Sequence, residues 1–210
     1  MCGIAGFFGQ RPISPEARQS MLAALASRGP DARHENAWAD GLTVSPTQPA
    51  TSALLHARLA IRDPRAIADQ PMLSEDGQVA LCYNGEVYGW ESDAEALRSK
   101  GHVFHTHSDT EFILNAYLEW GFPALLQRLR GMFALTILDR RTQKVFLARD
   151  RMGLKPLIYG QRADGFAFVL RAVGLRGILD DGEVVFLGDG EDLIKIKRMA
   201  VEMHWHDDLG

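Results

Sequence analysis

Met1-Cys2-Gly3-Ile4-Ala5-Gly6-Phe7-Phe8-Gly9 is the stretch whose reading decides the rest of the chain. A cysteine directly behind the initiator methionine is an odd place for a structural thiol, because chain ends fray unless something ties them down. The residues that follow are glycine-rich but apolar, and Ile4, Phe7 and Phe8 predict a buried strand. Removal of Met1 would leave Cys2 with a thiol and a free α-amino group on one residue. That amine has an ordinary pKa of about 7.7–8.0, so a usable share of it is neutral base near neutral pH. A nucleophile that carries its own base needs no separate histidine. Without that chemistry, Cys2 is a small buried hydrophobe in a first strand.

Working outward, the bulk numbers narrow the classes. The chain has 210 residues, 46% hydrophobic and 24% charged, which is ordinary globular composition. Its net charge of −4 with mixed signs excludes a basic face for nucleic acid or anionic lipid. No apolar run approaches a membrane span and no secretory signal opens the chain, so a cytoplasmic protein is expected. Two cysteines, Cys2 and Cys82, do not make a disulfide framework; Cys82 lies in an apolar run and reads as core.

The pattern along the chain predicts an opening strand broken at Gln10-Arg11-Pro12. A helix follows, capped by Ser14, with Pro15 at its first position, an apolar stripe of Ala17, Met21, Leu22 and Leu25, and an end at Gly29. Residues 30–51 read as loop and short strand, and 52–61 as a strand leading into a Pro-bearing loop. A buried strand at 78–83 is followed by Asn84-Gly85 and a short strand at 86–88. Capping boxes at Ser92/Glu95 and Ser108/Glu111 start two helices, which stop at Gly101 and Gly121, and Pro123 starts a third. Strands are expected over 132–138, 144–148 and 157–159, then near 166–170, 184–187 and 193–197. Many strands with a few helices grouped in the middle argue for an α+β fold rather than a parallel βαβ sheet.

Four short constellations stand out beside Cys2. They are Arg28-Gly29-Pro30-Asp31, His56-Ala57-Arg58-Leu59-Ala60-Ile61, Tyr83-Asn84-Gly85-Glu86-Val87-Tyr88 and Ser108-Asp109-Thr110-Glu111. Each has a plain structural reading. Asn84-Gly85 between two strand runs is a hairpin signal, and Asp109 in a first helical turn is favourable anyway. Together they suggest more. A thiolate attacking an amide makes an oxyanion that needs fixed donors, and Asn84 and Gly85 supply a side-chain amide and a backbone N–H at adjacent positions. Arg58 is suited to fork the carboxylate of an amino-acid substrate, and Asp109 or Glu86 to hold its ammonium.

These stretches, with Gly131-Met132-Phe133-Ala134 and Ala148-Arg149-Asp150-Arg151 running on to Gly153-Leu154-Lys155-Pro156-Leu157, resemble the class II glutamine amidotransferase domain, in the branch of the glutamine-hydrolysing asparagine synthetases. The resemblance implies the N-terminal-nucleophile hydrolase fold, a four-layer αββα sandwich of two antiparallel sheets. It covers 2–160 as the core, with 161–210 as a more loosely matching C-terminal part of the same domain. It implies hydrolysis of L-glutamine to glutamate and ammonia through a Cys2 thioester, with the Cys2 α-amine as base. Asn84 and Gly85 become the oxyanion hole. Arg58 takes the α-carboxylate, Glu86 and Asp109 the amino group, and Leu59 and Ile61 line the pocket. No metal and no cofactor are required for this half-reaction. ATP and Mg would belong to an ATP-pyrophosphatase synthetase domain or subunit, which is absent from these 210 residues.

Two departures from the family pattern are visible. Arg62 stands where a small apolar residue is common, and Phe166-Ala167-Phe168-Val169 lacks the serine and glutamate of the corresponding asparagine synthetase segment. A catalytically silent regulatory or interaction module of the same fold is the alternative. The retained nucleophile argues against it. His102, His105 and His107 are not expected to form a closed zinc site.

Overall fold

The computed structural model describes residues 1–162, 165–169, 183–186 and 200–204. Their elements run β1 (Gly3–Ile13), α1 (Pro15–Leu25), β2 (Ala32–Ala39), β3 (Leu42–Thr43), β4 (Ala50–Arg58), β5 (Met72–Leu73), β6 (Val79–Val87), α2 (Glu91–Ser99), α3 (Asp109–Arg128), β7 (Gly131–Asp139), β8 (Lys144–Arg149), β9 (Ile158–Arg162), β10 (Gly165–Val169), β11 (Glu183–Phe186) and β12 (Ala200–His204). They form two sheets, ordered β11-β9-β10-β1-β4-β2-β3 and β12-β8-β7-β6-β5. Every strand pairing is antiparallel.

The opening stretch becomes the middle strand of the larger sheet, and side-chain alternation assigns its two faces. Ile4 and Phe8 enter the layer between the sheets with Leu54, Ala80, Cys82, Ala134, Leu147 and Phe168. Ala5 and Phe7 point the other way, against Met21 and Leu25 of α1. On the far side, Leu81, Tyr83, Leu135 and Ile137 of the second sheet pack on Phe112, Ile113, Ala116 and Leu125 of α3. The result is the expected helix–sheet–sheet–helix sandwich. β6 is apolar on both faces, which explains its unbroken hydrophobic run.

Ser14 caps α1 by accepting from the Ala17 N–H at 3.3 Å, and Ser108 caps α3 by accepting from the Glu111 N–H at 3.3 Å. α3 breaks at Gly121 (φ 74°, ψ 171°) before resuming through Pro123, as the sequence predicts.

Five expectations are corrected. β1 continues through Gln10-Arg11-Pro12 to Ile13, taking a register shift between Phe8 and Ile13 instead of stopping. The stretch 30–51, expected as loop and short strand, holds a longer strand, the eight-residue β2, which pairs with β4 from Ala32↔Arg58 to Trp38↔Ser52. Its sequence, Ala-Arg-His-Glu-Asn-Ala-Trp-Ala, has poor strand propensity, so pairing to β4 decides it. Asn84-Gly85 is not a hairpin turn. β6 runs straight through, with Asn84↔Ala134 and Gly85↔Phe133 in register. The glycine is needed because a Cβ there would lie 2.3 Å from the Met132 carbonyl oxygen. Finally, α2 starts at Glu91 behind Trp90, with no side-chain cap from Ser92, and α1 ends four residues before Gly29. The strand expected at 193–197 lies outside the described residues.

Candidate active site

Cys2 sits at the leading end of β1, beside the trailing end of antiparallel β4, where Gly3 pairs with Ala57. The Leu59 N–H donates to Cys2 Sγ at 3.4 Å. The turn after α1 fixes both strand ends. Arg28 Nε donates to the Cys2 carbonyl at 3.2 Å, the Asp31 N–H donates to the Arg58 carbonyl at 3.0 Å, and Asp31 Oδ2 accepts the Ala60 N–H at 2.8 Å. A Cβ on Gly29 would lie 2.2 Å from the Ala57 carbonyl group, so only glycine lets this turn lie on β4. The Arg28–Asp31 constellation is therefore a clamp on the strand headed by Cys2 and its neighbour.

A cavity of about 180 Å³ opens in front of Cys2, and all eight residues singled out from the sequence (Cys2, Arg58, Leu59, Ile61, Asn84, Gly85, Glu86 and Asp109) line it. The two sheets bring them together, Cys2 and Arg58–Ile61 from one and Asn84–Glu86 from the other, with Asp109 from the first turn of α3. His56 bridges the sheets behind the site, its Nε2 donating to the Tyr83 carbonyl at 3.3 Å.

Asn84 is buried, yet its Nδ2 has no hydrogen-bond partner among the described residues. A buried amide that gives up a hydrogen bond needs a reason, and a donor held for a ligand in the cavity is one. Asp109 is held by one oxygen: Oδ2 accepts the Tyr83 hydroxyl at 2.7 Å and the Val87 N–H at 3.0 Å. Burial and the Asp109 charge push the Tyr83 phenol well above its ordinary range, so it remains a donor. Burial also pushes the Cys2 thiol up, against the Leu59 N–H, the N-terminal ammonium, Arg58 and Arg28, which favour the thiolate.

Arg58 lines the cavity, but its terminal nitrogens are engaged. Nη1 donates to Asp69 Oδ1 at 2.6 Å and to the Arg65 carbonyl at 3.1 Å, and Nη2 to the carbonyls of Asp63 at 2.5 Å and Arg62 at 3.2 Å. Ile61 stands at the mouth, 78% exposed.

Sequence reasoning missed several lining residues. Gln70 accepts the Tyr83 N–H at 2.6 Å and donates to Thr110 Oγ1 at 3.3 Å, tying the wall of the cavity to α3. Lys155 is buried on the cavity, its Nζ against Met1 Sδ at 3.1 Å. It is placed by Asp150, whose carboxylate accepts the N–H groups of Met152, Leu154 and Lys155 at 3.1, 2.9 and 3.0 Å. Gln70 carries no local signal in a single sequence; Lys155 lies inside a motif that was singled out. Among the described residues, no group of three or more His, Cys, Asp or Glu side chains could hold a metal. No helix among them is long and apolar enough to cross a membrane.

Comparison with known proteins points the same way. The model of a glutamine amidotransferase domain family matches residues 1–190. Among curated proteins, the glutamine-hydrolyzing asparagine synthetase 3 of Bacillus subtilis is 33% identical over 173 residues, covering 80% of this chain and 26% of its own. The glutamine-hydrolyzing asparagine synthetase 2 of Oryza sativa subsp. japonica is 36% identical over 186 residues, covering 87% and 29%. The chain thus spans less than a third of the length of these relatives. Among solved structures, the glutamine phosphoribosylpyrophosphate amidotransferase of B. subtilis superposes with a TM-score of 0.72 at 18% identity, covering 99% of this chain and 50% of that one. A glutamine aminotransferase class-II domain protein from Silicibacter pomeroyi gives a TM-score of 0.54 at 15% identity, covering 97% and 98%.

Proposed function

This chain belongs to the glutamine amidotransferase domain family, of class II, and on that premise we propose that it hydrolyses L-glutamine to glutamate and ammonia with Cys2 as nucleophile. The observation that carries the reading is that Asn84, whose buried Nδ2 has no hydrogen-bond partner among the described residues, lines the same small cavity as Cys2.

The reaction begins once Met1 is removed. The freed α-amine takes the thiol proton as Sγ bonds to the side-chain amide carbon of glutamine. Negative charge moves to the amide oxygen, where Asn84 Nδ2 and the Gly85 N–H receive it. The ammonium formed at the N-terminus returns its proton to the leaving nitrogen, the C–N bond breaks, and ammonia departs from a Cys2 thioester. Water, deprotonated by the same amine, attacks the thioester and releases glutamate. Asp109 and Glu86 hold the substrate's ammonium, the Arg58 side of the cavity its carboxylate, and Leu59 and Ile61 border its carbon chain.

Residues 2–160 form the core of the unit and 161–210 its continuation. Pairing of β10 with β1, of β11 with β9 and of β12 with β8 supports this. The ammonia acceptor is an ATP-pyrophosphatase synthetase domain or subunit of the asparagine-synthetase type, in a cytoplasmic setting. A pull-down that recovers such a subunit supports the acceptor, and ammonia released free under all conditions counts against it. For the reaction itself, mass spectrometry establishes loss of Met1, and glutamate release is compared between the processed chain and Cys2→Ala. Release is expected from the first alone; equal rates would remove Cys2 from the chemistry.

A further inference from the structure

Arg58 alone makes a poor fork for the α-carboxylate. Of its five N–H donors, the four on Nη1 and Nη2 face Asp69 and the carbonyls of residues 62, 63 and 65. Turning the guanidinium toward a ligand would strip those carbonyls and uncover the charge of Asp69. Nε is left, and one N–H is not the pair of parallel bonds that makes arginine–carboxylate recognition strong.

Arg62 differs on each point. It lines the same cavity, and its side chain is 39% exposed. Among the described residues its side-chain partner is Glu86, with Nη2 donating to Oε1 at 2.8 Å. Glu86, through that bond, and Asp109, through its charge, both tighten the hold of Arg62 on its proton. Arg62 therefore lies in the field of both acids assigned to the substrate's ammonium. The ammonium and carboxylate of an α-amino acid hang on one carbon, so a cation that reads the carboxylate must adjoin the anions that read the ammonium. Arg62 meets that condition.

We propose that Arg62 is a substrate-binding residue that, with Nε of Arg58, receives the α-carboxylate of L-glutamine, while the substrate's ammonium takes its place on Glu86. This rests on the glutaminase reading. Every charge has an opposite partner before and after the exchange, and a half-exposed ion pair opens easily. The site thus holds its own cation–anion pair where the substrate's zwitterion will lie. The departure at position 62 becomes a specificity element: a ligand carrying one of the two charges leaves a partner unmatched.

The test is steady-state kinetics on the chain freed of Met1, with L-glutamine and with γ-aminobutyramide, which keeps the amine and the amide but lacks the carboxylate. Arg62→Ala is expected to raise KM for L-glutamine about tenfold to a hundredfold with little change in kcat. Arg62→Lys should recover part of the loss, because a point charge replaces the fork. For γ-aminobutyramide, kcat/KM should not fall in Arg62→Ala. An unchanged KM for L-glutamine in a folded Arg62→Ala chain, or an equal fall with both substrates, overturns the proposal. A wild-type chain that releases no glutamate sinks the glutaminase reading itself. Titration of L-glutamine into Cys2→Ala, with and without Arg62→Ala, then decides Arg62 separately: weaker binding supports it, and equal or absent binding overturns it.

Discussion

The backbone N–H of Leu59 lies 3.4 Å from Sγ of Cys2, so the residue just past β4 touches the thiol at the head of β1. A fixed donor on sulfur favours the thiolate, while burial opposes it and raises the thiol above its ordinary pKa. With a raised pKa the thiolate fraction is small at neutral pH and grows as pH rises. Alkylation of Cys2 by iodoacetamide should therefore follow a pH profile displaced upward from that of a free thiol. Removal of Met1 brings the α-ammonium onto the same residue, which favours the thiolate, so the profile should shift down on processing. An identical profile before and after would mean that the N-terminus does not act on the thiol. The thiol and amine titrate as a pair, so the limb belongs to both.

Asn84→Ala should lower kcat for glutamate release by about a hundredfold to a thousandfold, the usual cost of one oxyanion donor, with KM little changed. Among the described residues Asn84 Nδ2 makes no hydrogen bond, so its removal leaves none of their groups unpaired. The melting temperature should hold. A mutant that loses kcat and stability together would place Asn84 in the architecture instead.

Gly85→Ala should instead act on the fold. Its Cβ would lie 2.3 Å from the Met132 carbonyl oxygen and 2.7 Å from Phe133 Cα, both backbone atoms of β7. We expect a loss of about 1–3 kcal/mol, as for other overpacked sites, read by urea denaturation. Wild-type stability in this mutant would show that the β6–β7 pairing tolerates the separation.

Arg18 has no exposed surface; on α1 it shares the buried face with Met21 and Leu25. Its Nε donates to Glu35 Oε2 at 3.1 Å, and its terminal nitrogens reach the carbonyls of Gln48 at 2.8 Å and Pro46 at 3.1 Å. Arg18→Ala would leave Glu35 and those carbonyls unpaired, at about 3–5 kcal/mol by equilibrium denaturation. A loss below about 1 kcal/mol would mean that water replaces the guanidinium.

His56 should make the fold acid-sensitive. Burial between the sheets lowers its pKa to about 3. Below the unfolded value of about 6.5 the unfolded chain binds a proton that the folded chain refuses, so stability falls as pH drops from that value toward the folded pKa. The slope from this one group approaches about 1.4 kcal/mol per pH unit. Folded His56→Gln should show a flatter decline over that window; an unchanged slope would assign the acid sensitivity to other groups.

The sequence by itself pointed to the proposed chemistry and determined much of the framework. Cys2 behind Met1, the apolar Ile4–Phe8 run, the Ser14 and Ser108 caps and the break at Gly121 are local signals, because strand burial, capping and left-handed glycine act within a few residues. Six of the eight candidate residues were legible as types suited to an amide-cleaving site, and the family resemblance joined them and added Leu59 and Ile61. Other features depend on contacts between distant segments. β2 forms because β4 offers it an edge. Gly85 is required by the backbone of β7 and not by a turn. Arg18 is buried because Glu35 and the 45–48 loop close over it. Arg58 is largely committed because the 62–65 carbonyls and Asp69 fold around it, whereas Arg62, with Glu86 as its side-chain partner among the described residues, is a cavity-lining cation with donors to spare. One-dimensional patterns report what a residue can do; which of its hydrogen bonds are already taken is decided only when the sheets stack and the loops close.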